Sequence, residues 1–268
     1  MKHRLGFFDS GVGGFTVLKK VLQRHGELEA VYLGDTERVP YGSRSKNEIQ
    51  EIAREVVGWL NQQQISTLVV ACNTTNSLAM EIVKKYSSVP VLGLIDSIPE
   101  MLFESRIGVL ATPSTTSSLA YTNHILLANP DAFVIEQSCP SFVPLIEASQ
   151  FSSTEIRRAA KKYLQPLLDA KVEVIVLGCS HYPLLKPLLN DLTPEHVRLV
   201  DPAIALSKRL DNFLDVRTLI SLEKSPSYSN VRFCVTSDLD GFASRAKHWL
   251  GIRPEVELVY LRNKACVF

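Results

Sequence analysis

Two short stretches confine the fold of this chain more than any other part of it. Leu68-Val69-Val70-Ala71-Cys72-Asn73-Thr74-Thr75 and Val174-Ile175-Val176-Leu177-Gly178-Cys179-Ser180-His181-Tyr182 share one pattern. Each passes from β-branched apolar residues through a small residue to a cysteine, and then to hydrogen-bonding side chains. A continuous apolar run of this length is the pattern of a strand buried on both faces, as in a parallel sheet. Open α/β sheets place their ligands at the carboxyl ends of such strands. Two thiols presented this way by one chain predict a matched pair facing a single substrate.

The remaining sequence alternates strands and helices, which predicts an α/β protein with mainly parallel sheets. Strands are expected at Arg4–Phe8, Ala30–Leu33, Val89–Ile95, Arg106–Thr112, Ala132–Glu136, Val197–Asp201, Val231–Val235 and Val256–Val259. Ser45 with Glu48, and Ser152 with Glu155, read as capping boxes opening helices that end near Gln63 and Ala170. Cys139 to Glu147 reads as a Pro-broken segment, and 223–230 as a surface loop. The order also repeats. Arg106-Ile107-Gly108-Val109-Leu110 stands 102 positions after Arg4-Leu5-Gly6-Phe7-Phe8, and Cys179 stands 107 after Cys72. Similar offsets at two places suggest an internal duplication. The expected architecture is two pseudo-symmetric α/β domains with the active site in the cleft between them. The first domain comprises 1–96 plus 207–268 and carries Asp9 and Cys72; the second, 97–206, carries Cys179 and His181.

Composition narrows the function classes. The 268 residues can bury a full core, and 29 basic against 28 acidic residues leave a net charge of +1. That balance argues against a broad surface for nucleic acid or membrane. No apolar run is long enough to cross a bilayer, and Asp9 with the following glycines interrupts any leader pattern, so a cytoplasmic chain is expected. Five cysteines, odd in number and without short regular spacing, indicate neither a disulfide framework nor a zinc knuckle.

Cys72 and Cys179 could serve as nucleophiles, metal ligands or proton carriers, in each case as thiolates. A helix starts after each, and the Cys72 thiol is expected to fall below its ordinary value of about 8.5 at that helix start. His181 can hold or relay a proton near neutral pH. The plainer reading is a pair of packed core cysteines, since free cysteine is among the most buried residue types. Asp9-Ser10 reads either as an N-cap or as a proton acceptor beside Cys72. Gly11, Gly13 and Gly14 depart from the phosphate-loop spacing. Tyr41-Gly42 reads as a turn, and Glu147 as either exposed or a site acid. Cys139, Cys234 and Cys266 lack a polar helix-start context and are expected to be bystanders.

Phe8-Asp9-Ser10-Gly11-Val12-Gly13-Gly14, Pro40-Tyr41-Gly42, Ala71-Cys72-Asn73-Thr74 and Gly178-Cys179-Ser180-His181-Tyr182-Pro183 together resemble the signature stretches of the bacterial glutamate racemases. These belong to the cofactor-independent aspartate/glutamate racemase superfamily. The resemblance runs to about Ser207. It implies interconversion of L- and D-glutamate without cofactor or metal, supplying D-glutamate to peptidoglycan, by a homodimer. It further implies that Cys72 and Cys179 flank the substrate α-carbon, with Asp9 assisting Cys72, and His181 and Glu147 assisting Cys179. Asp9, Ser10, Tyr41, Gly42, Asn73, Thr74, Ser180 and His181 match substrate-binding positions, and Thr112 and Thr115 fit a Thr-x-x-Thr pattern. Ser180 replaces the usual Thr, keeping the hydroxyl. Leu94-Ile95-Asp96-Ser97-Ile98 lacks the usual Glu-Pro. Rival readings are another racemase or a decarboxylase of the superfamily, a thiol-redox or metal-binding protein, and a non-catalytic binding module.

Overall fold

The apolar runs become the inner strands of two parallel sheets. The computed structural model describes residues 3–214 and 225–261. Its first part comprises β1 (Arg4–Asp9), α1 (Phe15–His25), β2 (Glu29–Gly34), α2 (Lys46–Leu60), β3 (Thr67–Val70), α3 (Asn73–Tyr86), β4 (Val91–Gly93) and α4 (Leu94–Ser97). Next come β5 (Arg106–Ala111), α5 (Pro113–Ser118), α6 (Ala120–Ala128), β6 (Phe133–Ser138), α7 (Phe142–Glu147), α8 (Thr154–Asp169), β7 (Val174–Gly178), α9 (Lys186–Leu192), β8 (Arg198–Val200) and α10 (Pro202–Arg209). Strand β9 (Val231–Val235), α11 (Leu239–Leu250) and β10 (Val256–Leu258) complete the chain.

The strand orders are β10-β9-β2-β1-β3-β4 and β6-β5-β7-β8, and every pairing is parallel. Removing β9 and β10 leaves β2-β1-β3-β4, the order of the second sheet shifted by four strands. The duplication read from the sequence is therefore present as topology. Cys72 follows β3 and Cys179 follows β7, which are equivalent strands of the two sheets. All four residues of β3 and all five of β7 are buried, as expected for strands covered by helices on both faces.

Strands β9 and β10 add to the β2 edge and bring α11 with them. Phe15 at the start of α1 packs on Tyr32, Phe242 and Trp249, with ring centroids 5.2, 4.8 and 6.2 Å away. This aromatic cluster fixes α11 beside α1, and so beside the loop that follows β1.

Local expectations hold where hydrogen bonding is local. Ser45 and Glu48 form the capping box of α2. Helix α8 is instead capped by Ser153, whose side chain accepts from the Ile156 N–H. The strand expected at Val89–Ile95 is shortened to Val91–Gly93, and the chain turns into α4. The Pro-broken segment contains helix α7, since Pro144 falls at its third residue, where its missing N–H costs no helical bond. Cys266 lies outside the described residues.

Candidate active site

A cavity of ≈ 160 Å³ lies between the carboxyl ends of the two sheets, and both Cys72 and Cys179 line it. Ser10, Tyr41, Gly42, Asn73 and Thr74 line it from the first sheet, and Thr112, Ser180 and His181 from the second. Two carboxylates expected at the site stand behind this wall. Asp9 is fully buried at the end of β1, and Glu147 reaches the site through His181.

On the Cys179 side, the sulfur lies 3.8 Å from His181 Nδ1. The other ring nitrogen, Nε2, lies 2.7 Å from Glu147 Oε1. Burial opposes a charged ring, but the contacts with Cys179 and Glu147 outweigh it and lift His181 to about 10. Glu147 is lowered despite its own burial, by His181 and then Arg245. The pair is therefore imidazolium and carboxylate at neutral pH. Because the folded value is raised, the stabilisation linked to His181 is whole below about 6.5 and is lost as pH rises through about 10.

The Cys72 side differs. Burial pushes this thiol up to about 12, and the nearby Asp9 adds to the rise, against the opposing pull of the Thr75 hydroxyl and N–H. The lowering expected from the start of α3 is overturned, because desolvation and a buried carboxylate outweigh the helix start. Asp9 Oδ2 accepts from the Gly11 N–H at 2.9 Å and lies 3.3 Å from the Tyr32 hydroxyl. Its Oδ1 is buried without a partner. The Gly11 N–H is thus committed to Asp9 and is not a substrate donor. Tyr32, raised by burial and then by Asp9, remains a phenol.

Several bonds tie the two sheets across the cavity. The Thr16 hydroxyl donates to the Ser180 carbonyl at 2.8 Å, and the Ser114 hydroxyl to the Gly42 carbonyl at 2.8 Å. Thr74 and Thr112 hydroxyls lie 3.2 Å apart, and Thr112 bonds Thr115 at 3.0 Å. The Tyr121 hydroxyl donates to Asn73 Oδ1. Tyr41 is held from behind, its hydroxyl donating to buried Asp35, which also accepts from Thr236 on the far side of β9 at 2.9 Å.

Local patterning missed several of these residues. Cys139 lines the cavity although it was expected to be a bystander. It follows β6 directly, so the strand-end rule applied to Cys72 and Cys179 identifies it too. Thr16, Tyr121, Arg245 and Trp249 carry no local signal, since their partners lie far away in sequence. Asn76 was passed over inside a polar helix start. Its Nδ2 donates to the Val70 and Cys72 carbonyls, each at 2.8 Å, and shapes the turn that carries the first thiol. Asn76→Ala leaves the Val70 carbonyl short of that donor. We expect a loss of about 1–3 kcal/mol in urea unfolding, seen as a lower midpoint at unchanged slope.

Residues 10–210 match the family model for Asp/Glu/hydantoin racemases. The chain is 55% identical to a glutamate racemase of Synechococcus sp. (strain CC9605), over 96% of this chain and 97% of that protein. It is 50% identical to a glutamate racemase of Prochlorococcus marinus (strain NATL2A), over 98% of this chain and 99% of that protein. The crystal structure of glutamate racemase from Francisella tularensis, in complex with D-glutamate, superposes with a TM-score of 0.87 at 32% identity. It covers 97% of this chain and 98% of that one.

Proposed function

Since the chain belongs to the Asp/Glu/hydantoin racemase family, we propose that it interconverts L- and D-glutamate by proton transfer at the α-carbon, with one thiol on each face. The observation that carries this reading is the shared cavity. Sulfurs from equivalent strands of two sheets open into one small space, each backed by a carboxylate at one remove. The 55% identical Synechococcus relative, a glutamate racemase, supports the choice of substrate.

The chemistry follows from the need to invert a stereocentre. A base must take the α-proton from one face while an acid delivers another to the opposite face. A single fixed group reaches only one face. In the resting state Cys72 is a thiol, and the imidazolium of His181 stabilises negative charge on the Cys179 sulfur. With Cys179 as base and Cys72 as acid, the site serves the enantiomer whose α-hydrogen faces Cys179. After transfer Cys72 carries the negative charge and the site is loaded for the mirror image. Glu147 keeps His181 charged and oriented. Buried Asp9, with a free Oδ1, is placed to accept from the substrate ammonium or from the Cys72 thiol. Ser10, Asn73, Thr74, Thr112 and Ser180 supply donors to the substrate carboxylates, which stabilise the charge developing at the α-carbon, while Tyr41, its hydroxyl committed to Asp35, walls the cavity.

The same reading takes 1–96 plus 207–268 and 97–206 as two bodies that close on the substrate and exclude water. It places the enzyme in the cytoplasm, supplying D-glutamate for peptidoglycan. Among the described residues no helix is long and apolar enough to cross a membrane. A homodimer is supported by apolar surface near the β6 edge, where Leu127 is 86% and Phe133 42% exposed.

The test is α-proton exchange in heavy water with L-glutamate, D-glutamate and L-aspartate, alongside loss of optical activity. Deuterium incorporation with racemisation of both glutamate enantiomers, and little with aspartate, is expected. The glutamate rate should fall as pH rises toward about 10, where His181 loses its proton. Faster turnover of aspartate would overturn the substrate assignment.

A further inference from the structure

Helix α11 lies beyond the residues 10–210 matched by the family model, yet two of its side chains reach the acid–base pair at Cys179. Arg245 and Trp249 stand one turn apart and share a helix face. The Trp249 ring lies edge-on to His181, with centroids 6.0 Å apart at 83°. Arg245 Nε lies 3.5 Å from Glu147 Oε2, and the Arg245 terminal nitrogen lies 2.9 Å from Asp238 Oδ2. Asp238 is itself anchored as the N-cap of α11, accepting from the Gly241 N–H at 3.1 Å. A chain of contacts thus runs Asp238–Arg245–Glu147–His181–Cys179. It starts on the six-stranded sheet and ends at the thiol of the four-stranded one.

We infer that Arg245 is a positioning residue: it holds Glu147 so that the carboxylate fixes His181 by Nε2 and leaves Nδ1 facing the Cys179 sulfur. The inference rests on the reading of Cys179 as a proton carrier. Asp238 alone would satisfy an arginine that served only its own helix. The Arg245 Nε is instead buried without an aligned hydrogen bond and is turned to Glu147, so the contact is Coulombic. The charged and titratable groups around this pair are Cys179, Arg245 and Asp238, with Tyr32 and Cys139 near enough to feel Glu147 and Cys179 respectively. Arg245 is the cation among them that acts on Glu147 from outside. Without it the carboxyl takes up a proton at higher pH and the imidazolium loses its anchor.

The experiment compares Arg245→Gln and Arg245→Lys in the full chain. Enantiomers have equal free energy, so kcat/KM must be the same in both directions for every variant. Directional information resides in isotope effects. Cys72→Ser, which keeps Cys179, identifies by solvent exchange the enantiomer whose α-hydrogen faces Cys179. For Arg245→Gln we expect a two- to fivefold loss in kcat/KM, roughly the effect of one partly exposed ion pair, and an acid limb displaced to higher pH. The α-deuterium isotope effect should grow for the enantiomer facing Cys179 and shrink for its mirror image. Arg245→Lys should recover most of the rate and the limb. An unchanged acid limb with unchanged isotope effects would overturn the inference, as would a rate loss that lysine does not rescue. Failure of the underlying reading is a separate result: Cys179→Ser would then racemise like the wild type.

Discussion

Cys72→Ser and Cys179→Ser are each expected to lose racemisation by about 10³-fold or more, within the range set by removing a positioned acid or base. Serine keeps the size and loses the acidity, so neither face can be served from that position. The two variants should still differ. Each retains one thiol and should exchange solvent hydrogen into the enantiomer that faces it, faster than it inverts that enantiomer. Exchange without inversion, on opposite enantiomers for the two variants, is the signature of a two-base site. Mixing the variants should restore nothing, because one chain supplies both sulfurs to the cavity. Chiral chromatography with proton NMR in heavy water reads both quantities. Wild-type racemisation by either variant would sink the two-thiol mechanism.

Gly13→Ala is expected to cost about 10²-fold in kcat/KM, with a stability loss of about 1–3 kcal/mol seen as a lower melting temperature. The added Cβ would lie 2.4 Å from His181 Nδ1 and 2.5 Å from Ser180 Oγ, far inside contact distance. Serine can rotate away. The imidazole cannot, because Glu147 holds Nε2 at 2.7 Å and Trp249 stands at its edge. The ring and the backbone of the Gly13 turn must separate, which opens the cavity between the sheets. A displacement of that order at a reacting group is worth about two orders of magnitude. Gly13 has no positive φ, so alanine adds no backbone strain, and the stability loss of about 1–3 kcal/mol comes from forcing the packed ring and turn apart. Near-wild-type activity would show that the two loops can part without cost to the chemistry.

The residues legible in advance are those whose neighbours in sequence explain them. Cys72 and Cys179 announce themselves because a strand's burial and its end are both local patterns, set by side-chain type and by where the apolar run stops. The repeat could be read for the same reason, and it appears as two copies of one strand order. The capping box at Ser45 is a contact over three residues. The thiol charge at Cys72 could not be read this way. The start of α3 is local, but the burial and the Asp9 carboxylate that outweigh it come from strands that meet only in the folded chain.

What the sequence alone determined was the α/β class, the two-part plan and the identity of both thiols with His181, since each follows from short-range periodicity and turn chemistry. Only the tertiary structure decided that Cys72 rests as a thiol, that Cys139 shares the cavity, and that Arg245 and Trp249 of the last helix stand against Glu147 and His181. Those facts depend on the approach of groups that lie far apart in the chain, and electrostatics and desolvation act through space without regard to sequence separation.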